Sequence, residues 1–418
     1  MVSDWSKVKL ENVSEIIGGG TPSKAEPSYW DGAIPWATPT DLTSGKKRML
    51  TKTKNNITEA GLGKSSAKLL PAGSVLMTSR ATIGECAINQ VPMATNQGFA
   101  NFICRKGTHN KYLFYLLSYL KPDFEKLGSG STFKEISKKT LKSYLVNFAP
   151  YEEQLKIASI LTSVDTAIEK TEAIIEQAEK VKKGLMQQLL TKGIGHTKFK
   201  KTEIGEIPEE WEVKSLSDLA NENDKYSFVG GPFGSDLKSE DYTEKGVRII
   251  QLQNIKDGYF SNEYKIYTSA EKADQLQKCN IYPGDLIIAK MAEPLARACV
   301  VPDIEERFVM ASDGIRLSID ESQNEKHFLM YAINSPYFRQ QAINNSTGTT
   351  RQRIGLKTLR NLKVAVPPFL EQKKITNLLV SVESKLNNDL NRRDKLNTLK
   401  KSLMQVLLTG KVRVKVDE

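Results

Sequence analysis

The chain repeats itself. Residues 130–191 align with residues 348–409 without a gap, at a constant offset of 218 residues. The identities fall in blocks. Lys139-Thr140-Leu141 recurs as Lys357-Thr358-Leu359, and Glu153-Gln154 recurs as Glu371-Gln372, each with Ile three residues on (Ile157, Ile375). Leu185-Met186-Gln187 and Leu189-Leu190-Thr191 recur as Leu403-Met404-Gln405 and Leu407-Leu408-Thr409. Upstream the match loosens: Trp5 with Leu10 echoes Trp211 with Leu216, and residues 71–80 echo 282–290. Two copies of one supersecondary unit predict a pseudo-twofold molecule, because a solenoid needs three or more repeats.

Each well-matched block carries the apolar spacing of one long helix. Ile157, Leu161, Val164, Ile168, Ile175, Leu185 and Leu189 form a heptad-like stripe in the first copy. Ile375, Leu379, Val382, Leu386, Leu396, Leu403 and Leu407 do so in the second. Pro150 and Pro367-Pro368 stand where a helix start tolerates proline, and Gly193 and Gly410 where a helix ends. Such a stripe is a packing surface, and its natural partner is the other copy's stripe. The expectation is an antiparallel helix pair, each about 38 residues and roughly 57 Å long.

The segments before the helices are mixed. Short apolar, β-branched runs at 74–77, 102–104, 247–252 and 285–288 predict strands bounded by Gly and Pro, while 111–120 and 327–333 predict helices. The expected fold class is α+β: two mixed α/β domains (1–150 and 209–368) joined by two long antiparallel helices (151–192 and 369–410). Residues 193–208 form a basic, then Gly/Pro/Glu-punctuated connector, and 411–418 a tail.

The net charge of +11 points to a polyanionic partner, but its distribution matters more. Residues 1–150 carry 20 Lys/Arg against 11 Asp/Glu, whereas 209–368 carry 20 against 23. Both regions nonetheless contain a long window free of carboxylates, 86–122 and 326–370. Screening limits a phosphate contact to about 8 Å, so local surface outweighs the domain total. No apolar run approaches a membrane span, and the first ten residues lack a signal-peptide core, so the expected location is cytoplasmic.

Enzyme signatures do not survive inspection. Val366-Pro367-Pro368-Phe369 imitates the loop of adenine methyltransferases, but valine cannot accept hydrogen bonds from a target amino group. Gly63-Lys64-Ser65 imitates a phosphate loop without its first glycine or preceding strand. Pro122-Asp123 lacks the Glu/Asp-x-Lys that would complete a nuclease site, and three scattered histidines make no triad. Cys86, Cys104, Cys279 and Cys299 stand far apart, which predicts reduced, mostly buried thiols and no structural zinc.

Polar, glycine-containing loops are where a backbone can approach a polyanion such as a nucleic acid closely. In the first domain these supply Gly20, Thr21, Ser23, Lys24, Ser79, Arg80, Thr82, Asn96, Gln97, Ser131, Thr132 and Lys134. In the second they supply Gly231, Phe233, Ser235, Gln251, Gln253, Asn254, Lys290, Thr349, Thr350, Arg351, Gln352 and Arg353. The loops 128–134 and 348–353 are equivalent in the repeat. Arg351, Gln352 and Arg353 suit guanine, adenine or phosphate contact, in any assignment. Trp5, Trp36 and Trp211 are expected in packing.

Gly18 to Ser23, Tyr29-Trp30 and Ile34-Pro35-Trp36 together resemble the specificity subunits of Type I restriction–modification enzymes. So do the two helix starts (150–157 and 368–375), the 199–211 connector and the 403–414 ending. The likeness spans essentially the whole chain and includes the repeat. It implies a non-catalytic chain whose two target-recognition domains read the halves of a split, asymmetric sequence in double-stranded DNA. It further implies a helix pair that docks two modification subunits, which bind S-adenosylmethionine and methylate adenine, and restriction subunits, which use ATP and Mg. No cofactor is expected on this chain. The rivals are a fused methyltransferase–nuclease, for which 418 residues leave no room, and a pure protein scaffold.

Overall fold

The computed structural model describes residues 4–44, 48–129, 134–291, 293–348 and 351–415. The chain divides into two compact α+β units. Unit 1 comprises residues 1–173 and 390–418, and unit 2 residues 174–389. The division runs through both long helices, so each unit owns the first part of one and the last part of the other.

Six helices organise the description: α1 (Asn110–Tyr119), α2 (Lys138–Ser143), α3 (Tyr151–Thr191), α4 (Lys326–Asn334), α5 (Leu356–Asn361) and α6 (Phe369–Leu407). In unit 1 a five-stranded sheet runs in the order Ser14–Gly18, Phe99–Cys104, Val75–Thr78, Cys86–Asn89, Met49–Leu50. A smaller sheet forms around Trp30–Ala37, and Ser6–Lys9 pairs antiparallel with Leu145–Phe148. In unit 2 the four-stranded sheet Phe228–Gly230, Gly314–Leu317, Leu286–Ala289, Ala298–Val300 packs beside a five-stranded one, and Glu212–Ser215 pairs with Lys363–Val366. All four strands and both short helices expected from the sequence are present within a few residues. Each β-rich centre reads as a continuous apolar run because both sheet faces are covered, as in Val75–Thr78 and Leu286–Ala289.

The connector is more ordered than its composition suggests. Phe199–Thr202 and Gly205–Pro208 form an antiparallel hairpin, with Gly205 at φ +104° after a two-residue turn. Thr202 donates to the Gly205 carbonyl at 2.7 Å, and Ile204 and Ile207 are buried.

Helices α3 and α6 contain 41 and 39 residues, and within each unit their segments run antiparallel. In unit 1, Ile157 and Leu161 share a core with Leu407 and Leu408, while Asp165, further along α3, pairs with Lys400, earlier on α6, at 2.8 Å. Unit 2 mirrors this: Leu189 and Leu190 lie in the core with Ile375 and Leu379, and Lys182 pairs with Glu383 at 2.8 Å. Every stripe residue is buried or half-buried. The stripe does more than zip two helices, because its terminal leucines complete the hydrophobic core of a mixed domain.

Two polar nodes recur. At the first, Glu153 accepts hydrogen bonds from the Trp5 indole (3.2 Å) and from Arg413 (2.9 Å), while Glu371 accepts from the Trp211 indole (3.0 Å) and the Ile194 amide (3.0 Å) and meets His196 (2.9 Å). Beside it, the Gln154 amide bonds the Ala149 carbonyl at 2.8 Å and the His109 N–H at 2.8 Å. Gln372 does the same to Pro367 (2.9 Å) and Glu325 (2.8 Å). The Pro-rich segment that imitated a methyltransferase loop is thus a strand-to-helix junction closed by the helix's own glutamine. At the second node Tyr115 donates to Asp165 at 2.7 Å and Tyr331 to Glu383 at 2.6 Å, each carboxylate also holding the lysine named above.

These nodes predict stability effects. Hydrogen bonds from Arg413 hold the Glu153 carboxyl below the usual carboxylate range. Its contribution is therefore complete above that range and is lost as pH falls through the depressed folded value. Glu153→Gln should cost about 1–2 kcal/mol at neutral pH, given a part-exposed guanidinium. In chemical denaturation the variant should also lose less stability on acidification than the unaltered chain, by the share that Glu153 contributes. Asp165→Asn leaves Arg48 and Lys400 facing each other without their shared carboxylate. The expected cost is about 2–3 kcal/mol, under the roughly 3–5 of a fully buried pair, read as a shift of the denaturation midpoint.

Candidate nucleic-acid interface

In unit 1 the strand Ser14–Gly18 runs into a turn that only glycine can form. A Cβ on Gly19 would stand 1.9 Å from the Asn96 carbonyl. Gly20 follows, its N–H on the Thr95 carbonyl (2.9 Å) and its own carbonyl accepting from the Trp36 indole (2.8 Å). The Thr21 hydroxyl donates to the side-chain carbonyl of Gln97. Asn96 accepts from the Gly98 amide at 2.9 Å, which closes the turn and leaves Gln97 exposed.

The neighbouring loop is tied to that turn through backbone. Ser79 donates to the Gly98 carbonyl (2.7 Å) and accepts from the Ile136 amide (3.0 Å). Beyond it Ala81 sits at φ +59°, with Thr82 N–H bonded to the Arg80 carbonyl at 2.7 Å. Left-handed alanine costs about 1–2 kcal/mol, the kind of strain that concentrates at functional loops. Arg80 and Thr82 are exposed, and Arg80 pairs with Glu135 at 2.9 Å beside exposed Lys134. Ser23 and Lys24 lie exposed after the glycine turn.

Unit 2 builds the same scaffold from different side chains. A Cβ on Gly231 would stand 1.9 Å from the Ala311 carbonyl, and its N–H bonds the Gly314 carbonyl at 2.8 Å. Lys290 takes the place of Ser79, donating through its amide to the Asp313 carbonyl (2.8 Å) and accepting from the Ile354 amide (2.9 Å). Arg353 and Thr347 exchange two backbone bonds at 2.9 Å, as Glu135 and Ser129 do in unit 1. The Arg353 guanidinium meets Asp313 at 2.7 Å. The Lys290 ammonium donates to the Ser312 carbonyl at 2.8 Å, and burial, followed by the neighbouring Arg353, lowers its pKa.

Phe233 stands out at 77% exposed, with its amide held by Asp236, whose other oxygen takes the Ser235 hydroxyl. Gln251 and Gln253 are hydrogen-bonded to each other at 3.3 Å on a loop beside the same turn, since Ile250 accepts from the Ala311 amide. Arg351 is exposed and Gln352 half-buried.

Three expected surface residues are buried instead. Gly20 lies under the Trp36 indole, and Ser79, one residue past Val75–Thr78, is 4% exposed because its backbone is bridged to Gly98 and Ile136. Asn254 is fully buried, its amide hydrogens on the Ser261 (3.0 Å) and Tyr264 (2.8 Å) carbonyls and its oxygen on the Gln251 amide. It shapes the loop that carries Gln251 and Gln253. Ser131, Thr132, Thr349 and Thr350 lie outside the described residues. Trp36 and Trp211 are buried and Trp5 half-buried. Among the described residues no cluster of His, Cys, Asp or Glu could hold a metal ion, and no helix is long and apolar enough to cross a membrane. Sequence inspection missed Lys138, Lys139 and Lys142 on α2, and Lys278, which line open clefts beside the glycine turns. Their only sequence signal was clustered charge.

Known proteins share this organisation. The family model for the Type I restriction modification DNA specificity domain matches twice, at residues 2–180 and 208–401. The MjaIX specificity subunit of a Type I restriction enzyme of Methanocaldococcus jannaschii is 30% identical, over 98% of this chain and 94% of that one. The MjaVIII specificity subunit of the same organism is 27% identical, over 99% and 94%. Among solved structures, the S subunit of a Type I restriction–modification system from M. genitalium aligns over 97% of this chain and 96% of its own. That alignment has a TM-score of 0.56 and 16% identity. A chain from a study of complex assembly and conformational transition of the Type I R-M system aligns over 99% and 100%, with a TM-score of 0.61 and 17% identity. With both copies of the repeat matched, the chain belongs to the Type I restriction–modification DNA specificity subunit family.

Proposed function

We propose that this chain is the non-catalytic, sequence-reading subunit of a Type I restriction–modification complex, each unit reading one half of a bipartite, asymmetric DNA target. The observation that carries the proposal is the repeated loop scaffold. Two units hold the same glycine turn and the same backbone-bridged loops, yet present Thr21, Gln97 and Arg80 in one and Phe233, Lys290 and Arg353 in the other. One framework with two sets of side chains is what a pair of readers for unlike half-sites requires. Affinity comes from lysines and arginines on phosphates, and discrimination from groups such as Gln97, Gln253 and Arg351 at base edges. Phe233 offers a face on which a base can stack or a base step can open.

The long helices suit partner docking. Leu370 is 72% exposed, and Leu378, Val380 and Tyr151 also point apolar surface outward. The partners would be two modification subunits carrying S-adenosylmethionine, together with restriction subunits that use ATP and Mg. This chain would supply the target and the platform.

Footprinting of the assembled complex should reveal two short protected patches separated by an unprotected gap. Sequence-independent protection alone would favour a scaffold. Arg351→Ala and Arg353→Ala should each weaken binding through one half-site only, by about 1–3 kcal/mol if the lost contact is to a base. Altering the other half-site should have the same effect in variant and parent.

A further inference from the structure

The two glycine turns share a feature that the repeat does not explain. Gly18 ends its strand under the Lys138 ammonium, and a Cβ there would lie 3.0 Å from Nζ. Gly230 ends the equivalent strand under the Lys290 ammonium, with the corresponding distance 3.2 Å. Neither glycine is one forced by a backbone clash; those are Gly19, Gly20 and Gly231. The absent side chain makes room for a lysine tip.

The two lysines are not counterparts in sequence. At the offset of 218, Lys138 corresponds to Leu356, while Lys290 occupies the backbone position of Ser79. Each unit has therefore placed a cation over the same glycine from a different element, α2 in one and the end of a sheet strand in the other. Core packing does not demand this, because both lysines line open clefts. The unit 1 cleft, about 570 Å³, is lined by Lys138, Lys139 and Lys142 against one carboxylate, Glu11. The unit 2 cleft, about 710 Å³, is lined by Lys278, Lys290 and Arg353 against one carboxylate, Asp313. Among the described residues three cations face one anion in both, although the two domains differ in the sign of their net charge.

We infer that each cleft is a clamp for a DNA phosphodiester, with Lys138 in unit 1 and Lys290 in unit 2 as the contacting cations. The inference rests on the DNA-reading proposal and adds the site at which the backbone is held. A phosphate contact carries no sequence information, so it can be kept while the base-reading loops change. What must persist is positive charge at one place beside the glycine turn, whichever residue delivers it.

The test measures binding of the full chain to a short mixed-sequence duplex across a salt series, with no knowledge of the target needed. Lys138→Gln and Lys290→Gln should each flatten the slope of log K against log salt by about one unit, and the double variant by about two. Lys138→Arg and Lys290→Arg should keep the parental slope. Equal weakening on duplexes of unrelated sequence would support a phosphate role. An unchanged slope in either glutamine variant overturns the shared clamp, and so does a loss that the arginine variant fails to rescue. A parent chain that shows no salt-dependent duplex binding, alone or in the assembled complex, overturns the DNA reading itself, a result distinguishable from loss in the variants alone.

Discussion

The carboxylate at the start of each long helix closes its unit. Glu153 receives the indole of Trp5 from the beginning of the chain and the guanidinium of Arg413 from its end. Glu371 receives Trp211, His196 and the Ile194 amide, all from the segment that follows α3. In both cases one largely buried acid joins three parts: its own helix, the first strand region of its own domain, and the stretch after the other helix. A buried carboxylate is tolerated only when its acceptor sites are filled, so the three parts must arrive together. Unit 1 accordingly requires two separate segments, one carrying Trp5 and one carrying Arg413, whereas unit 2 closes within one continuous stretch.

That requirement accounts for where the repeat is preserved. The Glu-Gln pair, the terminal leucines and Lys182/Lys400 each serve a contact present in both units, and these are residues the two copies share. Even the Asp165/Glu383 difference keeps the function, because Tyr115 and Tyr331 still find a carboxylate and each lysine still meets it. The loops at the glycine turns are held by backbone bonds: Ser79 and Lys290 each donate one amide and accept another, whatever their side chains. A scaffold fixed by main chain lets its side chains change without loss of geometry, which suits the reading role proposed for the two units.

How much was legible follows from the same distinction. Helix positions, strand positions and the α+β class were readable, because they depend on periodicity and on residues such as Pro150 and Gly410 that act locally. The family was readable from motifs that turn out to be scaffold: the Gly18-Gly19-Gly20 turn, the helix starts and the hairpin connector. Less was visible where an interaction joins distant residues. Nothing local to Arg413 announces Glu153, and Asn254 has the composition of a surface loop residue yet spends every amide hydrogen on carbonyls inside. Lys138 was overlooked because its role depends on a glycine 120 residues away.

Charge shows most clearly why a domain total misleads. Unit 2's mixed domain holds more acids than bases, yet many of those acids are occupied internally. Asp285 and Asp224 both bind the buried Arg316, Asp241 holds Lys272, Asp257 takes Arg339, and Asp274 takes Arg307. A carboxylate neutralised by an adjacent cation contributes little potential beyond a Debye length, so these pairs are nearly silent at the loops. What remains at the cleft is the same excess of cations as in unit 1, despite totals of opposite sign. For a polyanion held within a few ångströms, that local excess sets the interaction, and the domain's net charge does not.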